Sequence, residues 1–188
     1  MSAGDDRLGP GCLALVVGPS GAGKDTLLAI AATRLAARRR IVFGRRIVTR
    51  EAGGFEDHDS LAPDAFDAAQ ARGDFALAWR AHGLGYGVPH ETARRVEAGD
   101  TIVFNVSRAV VDAARELFAK VRVIYVTAPA EVLASRLRAR GRDGDIGSRL
   151  ARAEDATLQL DADLVIENIG DRNANAGILA EFLTKTLA

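Results

Sequence analysis

Apolar residues gather along this chain in short unbroken runs and in stretches with helical spacing, and the two kinds alternate. Cys12–Val17 is apolar throughout and is closed by Gly18-Pro19, the pattern of a strand covered on both faces. Residues 26–38 follow, with Leu27, Leu28, Ile30, Ala31 and Leu35 at helical spacing. Residues 41–49 are β-rich. A loop bearing Gly and Asp, 51–60, leads to a short helix with Pro63 in its first turn. Phe75–Ala81 reads as a strand running into a turn that holds Gly83, Gly85 and Gly87. Then come helix 91–98, strand 101–106, helix 109–118, strand Val121–Thr127 and helix 130–140. After a polar break at 141–145 a further helix starts near Ser148, and strand Leu164–Glu167 and a terminal helix 174–187 complete the pattern.

Strands separated by helices imply βαβ crossovers, so the expected fold is α/β, a mostly parallel sheet with helices on both faces. Residues 11–50 and 100–188 keep this rhythm and read as the core of one domain. Residues from about 51 to 89 interrupt it with short mixed elements and read as an insertion able to move against that core. No internal repeat, low-complexity tract or linker is evident.

Composition narrows the function classes. With 188 residues, 48% of them hydrophobic, the chain can bury a proper core. Basic and acidic residues are both 25, so the excess of positive charge expected of a duplex-coating protein is missing, and nucleic acid is not the expected partner. The one cysteine, Cys12, can form neither an internal disulfide nor a thiolate cage for zinc. The apolar run at 12–17 is too short to span a bilayer and lacks the flanks of a signal peptide, so the expected address is the cytoplasm, away from membranes. The basic residues include only three lysines, Lys24, Lys120 and Lys185, which makes the position of Lys24 conspicuous.

That position is inside Gly18-Pro19-Ser20-Gly21-Ala22-Gly23-Lys24-Asp25-Thr26, set between the first apolar run and the first helical stretch. Strand, glycine-rich loop, lysine and helix in that order form a phosphate loop. The glycines let successive backbone N–H groups converge on phosphate oxygens, and the helix N-terminus beyond adds its positive end. Lys24 would bridge the terminal phosphates of a nucleoside triphosphate. The residue after the lysine is normally Ser or Thr, whose hydroxyl binds magnesium; here it is Asp25. A carboxylate so close to a triphosphate is tolerable with a cation between them, so Asp25 is a candidate Mg²⁺ ligand, with helix capping as the equal alternative. Thr26 remains for a phosphate oxygen.

Several segments in register with this loop resemble the guanylate kinase group of P-loop kinases. Val48-Thr49-Arg50 looks like its substrate-phosphate arginine motif, and Phe75-Ala-Leu-Ala-Trp79 with Gly83-Leu-Gly-Tyr86-Gly87 like its acceptor strand and tyrosine-glycine turn. Arg136-Leu-Arg-Ala-Arg140-Gly141 followed by Arg149-Leu150 looks like its arginine-bearing lid, placed at about 140–149. The departures matter as much. Ala78 stands where that group has the glutamate that reads guanine, Gly53 where it has a second arginine, and His58 where it has a phosphate-binding tyrosine; Phe104-Asn105-Val106-Ser107-Arg108 lacks its carboxylate. A base-reading site without its acid loses most of its selectivity, so GMP is a poor fit.

These same departures resemble a related family, the ribose 1,5-bisphosphate phosphokinases of bacterial phosphonate catabolism. Gly23-Lys24-Asp25, His58 before Leu61, His82-Gly-Leu-Gly-Tyr86-Gly87 and Asn105-Val-Ser107-Arg108 carry the similarity. The resemblance implies ATP-dependent phosphorylation of a small-molecule substrate, ribose 1,5-bisphosphate, to 5-phosphoribosyl 1-diphosphate (PRPP). It implies Lys24, Arg140 and Arg149 at the transferring phosphoryl group, with Arg136 and Arg152 as weaker candidates. It further implies Arg50, His58, Tyr86 and Arg108 at the acceptor, and Asn168 against adenine. A nucleoside monophosphate kinase with altered base recognition and a non-catalytic binding module are the alternatives, and the oligomeric state is not legible.

Overall fold

The computed structural model describes residues 6–51, 58–81, 83–139 and 161–187. Five parallel strands form the central sheet in the order β2 (Ile41–Phe43), β7 (Thr101–Asn105), β1 (Cys12–Val17), β8 (Val121–Thr127) and β9 (Leu164–Glu167). Every residue of β1 is buried, and its side chains alternate between two cores. Ala14 and Val16 pack with Leu27 of α1 (Lys24–Arg34) and Leu179 of the terminal helix α6 (Arg172–Lys185). Leu13, Leu15 and Val17 pack with Val96 of α3 (Glu91–Glu97) and Ala114 of α4 (Val111–Leu117), a helix entered through the 3₁₀ turn Arg108–Val110. The expected parallel sheet covered on both faces is what forms. β1 sits at its centre, flanked by β7 and β8, and the strand order reverses there. In open α/β sheets that crevice, beyond the carboxyl ends of the strands, is where ligands bind.

A second sheet of four strands runs in the order β4 (His58–Ser60), β3 (Arg46–Val48), β6 (Leu84–Pro89) and β5 (Phe75–Ala81), with α2 (Pro63–Ala71) beside it. It is mixed: β3 and β4 are parallel, whereas β6 is antiparallel to both β3 and β5. Residues 41–49, read as one β stretch, therefore divide between two sheets. The divide falls at Gly44, where an added Cβ would lie 2.2 Å from the Phe104 ring, so the chain crosses β7 against that ring and leaves the core. The second sheet thus starts at Arg46, earlier than the insertion at about 51–89. Two further differences concern β4 and β6. Gly85 and Gly87 lie within strand β6 rather than in a turn, and β4 occupies part of the expected loop. The rings of Phe66 and Phe75, stacked with centroids 4.7 Å apart, fill the space that side chains at 85 and 87 would need. Helix α5 (Ala130–Ala139) follows β8; the lid at about 140–149 and the helix near Ser148 lie outside the described residues.

Cys12 tests the density of this core. Its burial pushes the thiol from an ordinary 9.0 up to about 11. The folded state therefore favours the protonated form. Its contribution is fully present below about pH 9 and is lost as the pH rises through about 11. Thiol alkylation of the native protein at pH 8 is expected to be negligible and to become fast in denaturant; rapid native labelling would contradict the packing around β1. No described helix is long and apolar enough to cross a membrane.

Candidate active site

The phosphate loop leaves the carboxyl end of β1 and enters α1, so Lys24 and Asp25 open the helix itself. Gly23 is the residue before the helix, at φ 87°, and no side chain caps the first turn. A side-chain oxygen there would occupy the N–H groups that an anion needs; glycine leaves them to a phosphate. Lys24 Nζ lies across the loop, donating to the carbonyls of Gly18 (2.7 Å) and Pro19 (3.0 Å). Ser20 is exposed at the loop's tip, Ala22 is buried beneath it, and Thr26 is half-buried.

Two residues from distant parts of the chain hold the loop from behind. Asn168, directly after β9 and 2% exposed, donates from Nδ2 to the Ala22 carbonyl at 2.7 Å, and its Oδ1 accepts from Asn175 at 3.1 Å. Arg136 on α5 donates from Nη1 to Gly21 O at 3.3 Å and from Nη2 to Asn168 O at 2.9 Å. Asn168, expected from the resemblance against adenine, has its side-chain donor and acceptor engaged in bracing the loop. Arg136, a weak lid candidate in the sequence, binds loop carbonyls and holds a positive charge beside the phosphate site. Replacing Asn168 by Ala leaves the buried Ala22 carbonyl only the 3.5 Å contact from Arg136, and the expected cost is about 1–3 kcal/mol in unfolding free energy together with a raised KM for ATP. A melt and an ATP titration check this; unchanged values would mean that the loop holds its shape without the brace.

Asp25 faces the end of β7, where Asn105 Nδ2 donates to Asp25 Oδ1 at 2.6 Å. Asn105, in the sequence only part of a motif, lies against the first turn of the phosphate-loop helix. The signal was an amide placed directly after the apolar run Ile102-Val103-Phe104. Arg46 Nη1 donates to the Asn105 carbonyl at 2.7 Å, and Asp25, Arg46 and Asn105 share a cavity of about 130 Å³ with apolar residues of α1, β2 and β7.

The facing wall belongs to the second sheet. Thr49 locks β3 to β6 through Thr49 N to Gly85 O (3.0 Å) and Gly85 N to Thr49 Oγ1 (2.8 Å), and this fixes the exposed Arg50 that follows. The Arg50 carbonyl accepts from Ser60 Oγ at 2.9 Å and lies 3.1 Å from His58 Nε2. His58 is 1% exposed, so it holds the Arg50 backbone from beneath rather than presenting its ring to a ligand. Tyr86 stacks on Trp79, rings 5.2 Å apart and 9° from parallel, and the Arg46 guanidinium lies 5.8 Å from the Tyr86 centroid. Trp79 both packs on the core and backs this wall. Ala78 pairs with Gly87 across β5 and β6. Arg108, three residues beyond Asn105, is exposed at the start of the 3₁₀ turn. Gly53, Arg140, Arg149 and Arg152 lie outside the described residues.

Comparisons with known proteins show the chain's family. A family model described as an AAA domain matches residues 13–164. The chain is 51% identical over 178 residues to "Ribose 1,5-bisphosphate phosphokinase PhnN" of Rhodopseudomonas palustris, covering 94% of this chain and 90% of that protein. It is 52% identical over 176 residues to the protein of the same name from Methylobacterium radiotolerans, with 93% and 98% covered. Among solved structures, guanylate kinase from Anaplasma phagocytophilum superposes with a TM-score of 0.67 at 20% identity, over 95% of this chain and 87% of that one, and it supports the fold. Phosphate loop, parallel sheet and near-complete alignment converge: the chain belongs to the AAA-domain family and to the family of ribose 1,5-bisphosphate phosphokinases.

Proposed function

We propose that this kinase transfers the γ-phosphoryl group of ATP to ribose 1,5-bisphosphate, giving PRPP and ADP. The observation that carries the reading is the wall beside the phosphate loop: Tyr86 lies against Arg46, Arg46 reaches the Asn105 carbonyl and Asn105 reaches Asp25 of the loop helix, while the β5 position suited to a base-reading acid holds Ala78 opposite Gly87. Cations without a base reader suit an acceptor that is all sugar and phosphate.

The acceptor phosphate is already ionised near neutral pH, so no side chain has to remove a proton. An oxygen of the 1-phosphate attacks Pγ, the bond from Pγ to the bridging β–γ oxygen breaks, and ADP leaves with that oxygen's charge. What the protein supplies is alignment and charge compensation. Lys24 and the loop amides hold the ATP phosphates, with Gly18, Ser20, Gly21, Ala22, Gly23 and Thr26 forming the cradle. Arg50 and Arg108 hold the acceptor, His58 fixes Arg50, and Tyr86 forms the wall between them. Arg140 and Arg149 are assigned to the transferring group on the strength of the resemblance.

The donor set fits magnesium. Asp25 Oδ1 is taken by Asn105, Oδ2 remains, and no cluster of three His, Cys, Asp or Glu side chains exists among the described residues. Mg²⁺ is characteristically held by one or two carboxylates plus substrate phosphates and water. Bound by Asp25, it would neutralise charge on the β- and γ-phosphates. A reaction that consumes ATP and a phosphorylated sugar is assigned to the cytoplasm.

The decisive assay is ADP release with ATP and Mg²⁺, offering ribose 1,5-bisphosphate and GMP separately, with products identified by ³¹P NMR. PRPP from the sugar bisphosphate and no GDP is the expected result. Turnover of GMP alone would make the chain a nucleotide kinase, and failure to bind ATP would make it a binding module.

A further inference from the structure

We propose that Arg46 is a specificity-determining residue that binds the non-reacting 5-phosphate of ribose 1,5-bisphosphate. This rests on the acceptor named above and goes beyond Arg50 and Arg108, the arginines that the family motifs single out. An acceptor with a phosphate at each end poses a problem that a kinase of singly phosphorylated substrates does not meet. One phosphate must lie in line with Pγ, and the other, equally charged, must be matched somewhere else.

Arg46 is a half-buried arginine with no counter-charge. Other arginines have theirs: Arg45 is 3.1 Å from Asp59, Arg95 is 2.9 Å from Asp100, and Arg80 pairs with Asp67. Arg46 makes no ion pair among the described residues. Asp25, the one carboxylate lining its cavity, is bonded instead to Asn105. The guanidinium is nevertheless held in place, by the Asn105 carbonyl on Nη1 and by the Tyr86 ring at 5.8 Å. Among the described residues, Nε, shielded from solvent, has no acceptor and Nη2 makes no hydrogen bond. The Nε–Nη2 edge is the fork that grips a phosphate with two parallel hydrogen bonds.

A cation taken out of water without a partner is unfavourable, and an anionic ligand removes that penalty when it binds. Position agrees with this. Two hydrogen bonds, from Arg46 to Asn105 and from Asn105 to Asp25, link the guanidinium to the first turn of the phosphate-loop helix. One end of a small sugar can thus meet Pγ while the other reaches Arg46.

The test uses inhibitors that each carry one of the two phosphates. With wild type, Arg46→Ala and Arg46→Lys, kcat and KM are measured for ribose 1,5-bisphosphate, and competitive inhibition constants for ribose 5-phosphate and ribose 1-phosphate. Arg46→Ala should raise the KM by roughly 10- to 100-fold, with kcat within a few-fold. It should weaken ribose 5-phosphate by a similar factor and leave ribose 1-phosphate unchanged. Arg46→Lys, which keeps the charge but loses the fork, should fall between. Equal weakening of both inhibitors, or a fall in kcat at constant KM, would overturn the proposal and make Arg46 a brace for Asn105 and Tyr86. A wild type that phosphorylates GMP and ignores the sugar bisphosphate would overturn the functional reading itself, and with it the 5-phosphate.

Discussion

Lys24→Ala should leave a folded protein that has almost ceased to turn over. Its ammonium group donates to two carbonyls of its own loop, those of Gly18 and Pro19, and the loop is held from behind by Asn168 and Arg136. Removing a half-buried side chain at the loop's mouth opens no core cavity, so the melting temperature should move by no more than about 2 °C. The chemistry has no such reserve. Charge shifts onto the bridging oxygen as ADP leaves, and Lys24 is the cation that the loop itself supplies for the terminal phosphates. Loss of one preorganised donor at developing charge costs about 10²–10³ in kcat, and a full positive charge is expected at or above that range. Lys24→Arg should not rescue the rate, because a planar fork cannot occupy the position of a compact ammonium in so tight a loop. ADP release at saturating ATP checks both variants. A Lys24→Ala enzyme within tenfold of the parent would mean that the triphosphate lies elsewhere.

Lys24 was also the most legible residue of the site, and the reason shows what sequence can carry. A phosphate loop is local: strand, glycines, lysine and helix are neighbours in the chain, and a chain poor in lysine sets this one apart. β1, β5, β8 and β9 were legible for a similar reason, since an apolar or β-rich run bounded by turn residues is a local pattern. β4 and β6 were not. His58-Asp-Ser60 has no apolar pattern, and its strand exists because β3 lies alongside it. Leu84–Pro89 reads as a glycine turn until Phe66 and Phe75 are seen to occupy the space its glycines leave open.

Side-chain roles followed the same division. The resemblance singled out Arg50 and Tyr86, which the fold puts just after β3 and within β6, but nothing in the sequence reports the burial of His58, which depends on where β4 pairs. Nor could it separate Arg46 from the many solvated arginines, or give Arg136 more than a weak place in the lid motif. What distinguishes these two is the set of carbonyls they reach, at 105 for one and at 21, 22 and 168 for the other. Those are contacts between elements far apart in the chain, and no spacing records them.

Gly18 shows how a residue legible for one reason can be required for another. In the sequence it is a loop glycine that lets the backbone curl toward phosphate. In the fold it is the point where the chain leaves β1 against β8, and a Cβ there would lie 1.9 Å from the Val126 carbonyl oxygen. Its φ of +142° is also one that residues with side chains rarely adopt. Neither neighbour can give way: Val17 and Val126 are fully buried, and β1 and β8 are paired through Val17↔Tyr125. Gly18→Ala therefore combines backbone strain with overpacking, together about 2–5 kcal/mol, or roughly 5–20 °C in melting temperature for a chain of this size. Gly73→Ala is the control. Its φ is +78° but nothing lies within 4 Å of an added Cβ, so it carries the strain without the clash and should cost about 1 kcal/mol. If the two variants melt together, the contact with Val126 is not tight. If Gly18→Ala alone falls, and the surviving folded protein binds ATP poorly, then the packing of β1 on β8 sets the shape of the phosphate loop.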